Sequence, residues 1–257
     1  MIVMLTFAEK ITVLCFAASY AVAFALELWH LLRPRPILRL IALGFGIAGL
    51  FAHVLYLAMQ SVPFGSPVGS LLLLALILAV FYLGEAIHHQ RIAWALFVLP
   101  LVLGLIGLAT LAAPPSEPTA TGWSAFWGLV HGTLLILAAV GVSVGFIASI
   151  MYLVQLRRLQ AKMSPNHGLA LFSLERLEQM NRRAILWSFP LLTAGLLSGF
   201  ALQAYQGLFG QEWHNPRILS VVGLWIVVAI LLILRYRVHA RGRQVAIITM
   251  IAFVILV

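Results

Sequence analysis

His53 and His131 each sit inside a long apolar run, residues 50–57 and 126–137. A polar side chain in lipid is costly, so an imidazole there implies a partner or a purpose. The ring can donate to a neighbouring helix, or, when neutral, hold a cofactor metal through its free nitrogen. Gly46, Gly49, His53 and Tyr56 recur at spacings of three and four, which puts them on one helix face and predicts a packed side. Gly128 and Gly132 bracket His131 as G-x-x-x-G. The same spacing recurs at Gly141/Gly145 and Gly195/Gly199, where small residues let helix backbones approach. Trp123 and Trp127 precede His131 by two helical turns and by one. The plainer reading of these residues is an interhelical hydrogen bond for each histidine and an interfacial aromatic belt for the tryptophans. Spacing leaves both readings open. A further polar cluster, Gln211-Glu212-Trp213-His214-Asn215-Pro216-Arg217, lies in a connector.

Composition decides which elements must position these groups. Hydrophobic residues are 63% of 257, charged residues 9%, and the mean hydropathy is +1.07, outside the range of a soluble domain. The expected fold is all-α: one transmembrane bundle over residues 1–257 with about eight helices, each needing roughly 20 apolar residues to cross. Apolar runs and their breakers place them near residues 11–32, 37–60, 67–87, 92–113, 122–156, 184–207, 217–236 and 244–257. The first run is read as a retained helix, although Ala21-Val22-Ala23 offers the small residues of a cleavage site.

Charge gives the orientation. Arg33, Arg35 and Arg39 follow the first run, Arg91 the third, Arg157, Arg158, Lys162, Arg176, Arg182 and Arg183 the fifth, and Arg235, Arg237, Arg241 and Arg243 the seventh. These four connectors hold 14 of the 16 basic residues, and the intervening stretches, residues 61–66, 113–121 and 207–216, hold none. Basic loops stay cytoplasmic, so both termini are expected on the outer side. His53 and His131 then both fall roughly 10 to 14 Å below the outer surface, counting about 1.5 Å per residue. Within residues 158–183, Leu169, Phe172, Leu174, Leu177 and Met180 predict a short helix on the inner interface, with Ser173 as N-cap and Glu175 in its first turn.

The same inventory excludes several classes. The net charge of +9 reports orientation, not nucleic-acid binding. A single cysteine, Cys15, rules out an intrachain disulfide, a C-x-x-C redox pair and c-type heme attachment. There is no aspartate and no internal repeat, which argues against a transporter; Glu27 and Glu85 lie near helix ends and can snorkel. His30, His88, His89, His167 and His239 fall on the basic side, where they tune loop charge.

The order of motifs resembles a known family. Trp127-Gly128-Leu129-Val130-His131 opens a long helix that ends in Tyr152-Leu153-Val154-Gln155. Ser173-Leu174-Glu175-Arg176-Leu177-Glu178 follows, then Leu192-Thr193-Ala194-Gly195-Leu196-Leu197-Ser198-Gly199, then Asn215-Pro216-Arg217 with Trp225 beyond. Over roughly residues 120–250 this is similar to the cytochrome c assembly membrane proteins, which include the CcsA, HemX and YpjD-like branches. The first four helices, with His53, resemble the HemX and YpjD-like branch more loosely. In the heme-handling members the resemblance implies a tryptophan-rich outer loop, W-x-W-D-P-K, that holds heme between outward-facing histidines. His131 falls on the first of those histidines. Asn215 replaces the loop aspartate and Arg217 the lysine, while Trp213 and His214 remain of the aromatic part. Ile233 stands where an intramembrane histidine is usual, and the second outward histidine has no counterpart in this sequence.

The expectation is therefore a bacterial inner-membrane, non-enzymatic helix bundle that binds or presents heme, in the form of heme b, at the outer leaflet. His131 and His53 are the candidate iron ligands, with Trp123, Trp127, Trp213, His214, Asn215 and Arg217 around the group. Expected partners are heme, membrane lipid, and either a second cytochrome c assembly membrane protein or a tetrapyrrole-synthesis enzyme. The alternative is a HemX-type regulator of tetrapyrrole synthesis acting through a cytoplasmic partner.

Overall fold

The computed structural model of the chain describes residues 12–59, 66–88, 94–112, 123–161, 171–205, 216–237 and 242–257. Among them every regular element is a helix: α1 Val13–Leu32, α2 Pro36–Met59, α3 Pro67–His88, α4 Ala95–Leu111, α5 Trp123–Gln160, α6 Leu174–Tyr205, α7 Pro216–Tyr236 and α8 Gly242–Leu256. Three of them, α2, α3 and α7, begin on proline, which lacks the N–H that a first turn would leave unpaired. The Ser66 hydroxyl caps α3 by accepting from Gly69 N–H at 3.0 Å. Pro100 and Pro190 lie inside α4 and α6, where neighbouring helices in a membrane compensate for the lost backbone bond.

Six of the helices are long and apolar enough to cross a membrane; α4 and α8 are apolar but shorter, at 17 and 15 residues. Large apolar side chains point outward, among them Leu14, Phe51 and Trp187, which is how a protein solvated by lipid differs from one in water. The polytopic all-α bundle expected from composition is what the chain forms.

The chain divides into two compact units, one built from residues 1–118 with 164–171, the other from residues 119–163 with 172–257. In the first, α1 packs on α2, α2 on α3, α3 on α4 and α4 back on α1. Its core is lined by Phe16, Tyr20, Leu72, Leu78, Tyr82 and Leu99, all fully enclosed. In the second, α5 packs on α6, α6 on α7, α7 on α8 and α8 back on α5. Each unit is thus a ring of four sequential helices, the connectivity that short loops enforce.

Two sequence expectations change here. The short interfacial helix is not a separate element: from its Ser173 cap, where Arg176 N–H donates to Oγ at 3.3 Å, the helix continues without a break to Tyr205. Charged residues in its first turns lie beyond the apolar stretch, and 32 residues span about 48 Å, more than the hydrocarbon core of about 30 Å. The second change concerns Gly128 and Gly132, because a Cβ built on either meets nothing within 4 Å. That G-x-x-x-G makes no close helix contact. The other two do: a Cβ at Gly141 would strike Ser188 and the backbone oxygen of Ala184, and one at Gly195 would strike Leu135.

Candidate functional site

In the first unit, α2 turns Gly46, Gly49 and His53 inward, as their spacing predicted, and His53 is fully buried. Gly46 accepts the Tyr82 ring and Gly49 the Tyr20 ring, each leaving no room for a side chain. The His53 imidazole stacks on Phe16 at 4.2 Å between centroids and 4° between planes, with Tyr20 edge-on at 6.1 Å. Among the described residues both ring nitrogens are enclosed without a hydrogen-bond partner, as are the hydroxyls of Tyr20 and Tyr82.

In the second unit, the His131 ring crosses from α5 to α6. Its Nδ1 lies 2.8 Å from the carbonyl oxygen of Gly195 and 3.3 Å from Ser198 Oγ. A carbonyl can only accept, so Nδ1 carries the proton and donates to it. A neutral ring in this tautomer presents Nε2 as a lone pair, and Nε2 has no hydrogen-bond partner among the described residues. Gly199 makes the approach possible, since a Cβ there would lie 2.7 Å from His131 Cε1. His131 itself is half-buried.

Trp123 and Trp127 begin the same helix and stand edge to face at 6.1 Å, with Phe126 5.7 Å from Trp123. All three are exposed, Trp123 by 61%. They form an aromatic patch one to two turns, about 6 to 12 Å, from His131 along α5. Arg217 lies in the first turn of α7, and Trp213, His214 and Asn215 lie outside the described residues. Trp225, by contrast, is anchored: its Nε1 donates to Thr193 Oγ1 at 2.9 Å and its ring stacks on Phe189. Ile233, where the family pattern has a histidine, is 57% exposed.

Sequence reasoning missed the polar centre of the second unit. Asn181 Nδ2 donates to Ser149 Oγ at 2.8 Å, Gly145 O at 3.1 Å and Thr249 Oγ1 at 3.2 Å. Its Oδ1 accepts from Arg235 Nη1 at 3.3 Å, and Arg235 Nη2 pairs with Glu178 Oε1 at 3.3 Å. One network thereby ties α5, α6, α7 and α8. Arg235 had been read as loop charge, yet its side chain is only 13% exposed. The available signal was Glu178 and Asn181 at a spacing of three, one turn along a single face of α6.

A polytopic helical membrane protein with a half-buried histidine below exposed tryptophans is the class these features define. The chain belongs to the cytochrome c assembly protein family, whose model matches residues 12–257. Among curated proteins it is similar to the cytochrome c biogenesis protein CcsA of Guillardia theta, 25% identical over 182 residues. That match covers 62% of this chain and 58% of the relative, so the chain spans little more than half the length of the protein it matches. No solved structure matches it.

Proposed function

We propose that the protein handles heme in cytochrome c assembly, holding it as cargo at the tryptophan-bearing end of α5 on a single axial imidazole, His131. The observation that carries this reading is the Nδ1 bond to Gly195 O, which leaves Nε2 as the ring nitrogen without a partner among the described residues. Metal-bound histidines characteristically donate their other ring nitrogen to a carbonyl or carboxylate, which fixes the tautomer and aims the ring. The exposed Trp123, Phe126 and Trp127 offer aromatic surface to a porphyrin face, and a guanidinium, the chemistry of Arg217, would pair with propionates.

The second candidate ligand belongs to a different environment. Both His53 nitrogens are enclosed, and Phe16 covers one ring face, so the proposal assigns His53 to the packing of the first unit. The iron and its ligand field are the cargo's own chemistry. The protein would supply one ligand, an aromatic surface and a charge partner. The setting we propose is a bacterial cytoplasmic membrane with this end facing outward, as the arginine distribution supports.

Absorption spectra of protein purified from heme-sufficient cells test the reading. A Soret band that is lost or shifted in His131→Ala is the expected result. A colourless protein that copurifies with a tetrapyrrole-synthesis enzyme would overturn it in favour of the regulatory role.

A further inference from the structure

At the arginine-rich end of the second unit, α5 and α8 leave a groove of about 540 Å³ between them. Phe146, Leu153, Met250 and Val254 line its length, and Arg157, Gln160 and Arg243 stand at its mouth. Phe146 stacks on Phe253 at 4.1 Å, which gives the inner end a rigid aromatic floor. Both arginines are exposed, and among the described residues neither has an ion-pair partner; Glu178 pairs with Arg235 instead.

The dimensions match one molecule of the surrounding solvent. Arg157 to Phe146 is eleven residues along α5, and Arg243 to Val254 is eleven along α8. At about 1.5 Å per residue each wall is roughly 16 Å long, close to half of a hydrocarbon core of about 30 Å. An apolar slot one leaflet deep, with two unpaired guanidiniums at its rim and no acid among its lining residues, is complementary to one acyl chain below one phosphate. We propose that this groove is a binding site for an anionic phospholipid, its phosphate between Arg157 and Arg243 and an acyl chain along α5 and α8. The assignment does not depend on heme binding, because the groove lies at the opposite end of α5 from His131.

Native mass spectrometry of the full chain in detergent, titrated with phosphatidylglycerol or phosphatidylcholine, tests it. Phosphatidylglycerol should be retained and phosphatidylcholine should not. With about a fivefold contribution per arginine near a lipid phosphate, R157Q/R243Q should weaken retention about 25-fold, whereas R157K/R243K should keep most of it. Met250→Trp, which fills the slot and leaves both charges, should also lose the lipid; it carries the test if the double variant does not fold. R33Q/R35Q removes two exposed arginines of the other unit and should retain phosphatidylglycerol as the parent does. Equal retention of both lipids, or an equal loss in R33Q/R35Q, would reduce the effect to general surface charge and overturn the proposal. A Soret band abolished in R157Q/R243Q with phosphatidylglycerol still bound would overturn it too, giving the groove to a dianionic tetrapyrrole.

Discussion

His131 can lie against α6 only because residue 199 has no side chain: the 2.7 Å approach to Cε1 is closer than any real Cβ contact. Gly199→Ala should therefore push the imidazole off Gly195 and act on the spectrum much as His131→Ala does, while Gly128→Ala, facing open space, should not. Soret absorbance per milligram of purified protein compares the three variants, and an unaltered band in Gly199→Ala would mean that ring position is irrelevant to binding. His53→Leu gives the complementary case. It removes two buried nitrogens that have no partners and replaces them with an apolar group, a change that is neutral to stabilising when no partner is left stranded. Heme occupancy should be unaffected, and its loss would move the site into the first unit. The spacing in α2 was enough to show that His53 faces inward, but one chain read linearly could not show whether its nitrogens end against an iron, a carbonyl or a phenyl ring. That depends on Phe16 of α1 and on nothing in α2 itself.

Helices α5 and α6 form the most extensive pair of the second unit, and their contact is set by glycines that the sequence identified only in part. All three G-x-x-x-G motifs look alike as text. Only the two whose partners happen to be Ser188, Ala184, Leu135 and His131 are contact points, because periodicity tells which residues share a face and not what the face meets. Gly141→Ala should cost on the order of 1–3 kcal/mol, since the new methyl would overlap the Ser188 hydroxyl and press on the backbone oxygen of Ala184 behind it. Gly132→Ala should be neutral or slightly favourable by helix propensity. Thermal melting of the two variants in the same detergent makes the comparison, and equal melting points would contradict it. Asn181 belongs to this scale as well. Asn181→Leu removes the donor to Ser149 and Thr249 and the acceptor of Arg235 Nη1, while Arg235 keeps Glu178, so the expected loss is that of about one buried unsatisfied group, about 1–3 kcal/mol. Among the described residues the eight helices, six of them long spans, were readable because lipid demands about 20 apolar residues at a stretch. The continuity of α6 was not, because its first turns are amphipathic and look like a surface helix until the chain is seen to run straight through them.

For the whole chain the arginine distribution makes a topological prediction. With Cys15 replaced by alanine, Ser116→Cys should react with a membrane-impermeant maleimide in intact cells and Ser164→Cys only after lysis. Labelling of Ser164→Cys in intact cells would invert the orientation and place His131 on the inner side. The division into two four-helix rings also bears on how the protein is made. Every neighbour that α1 to α4 pack against in their ring has been translated by residue 111, and the arginine network that closes the other ring waits for Thr249 near the end. A ribosome arrested just after Tyr205 would thus hold a nascent chain in which α1 to α4 already have the ring neighbours seen among the described residues, while α5 and α6 would still lack α7 and α8. Synthesis from the N-terminus then works as a schedule in which the ring with the enclosed His53 closes first and the one carrying His131 closes last.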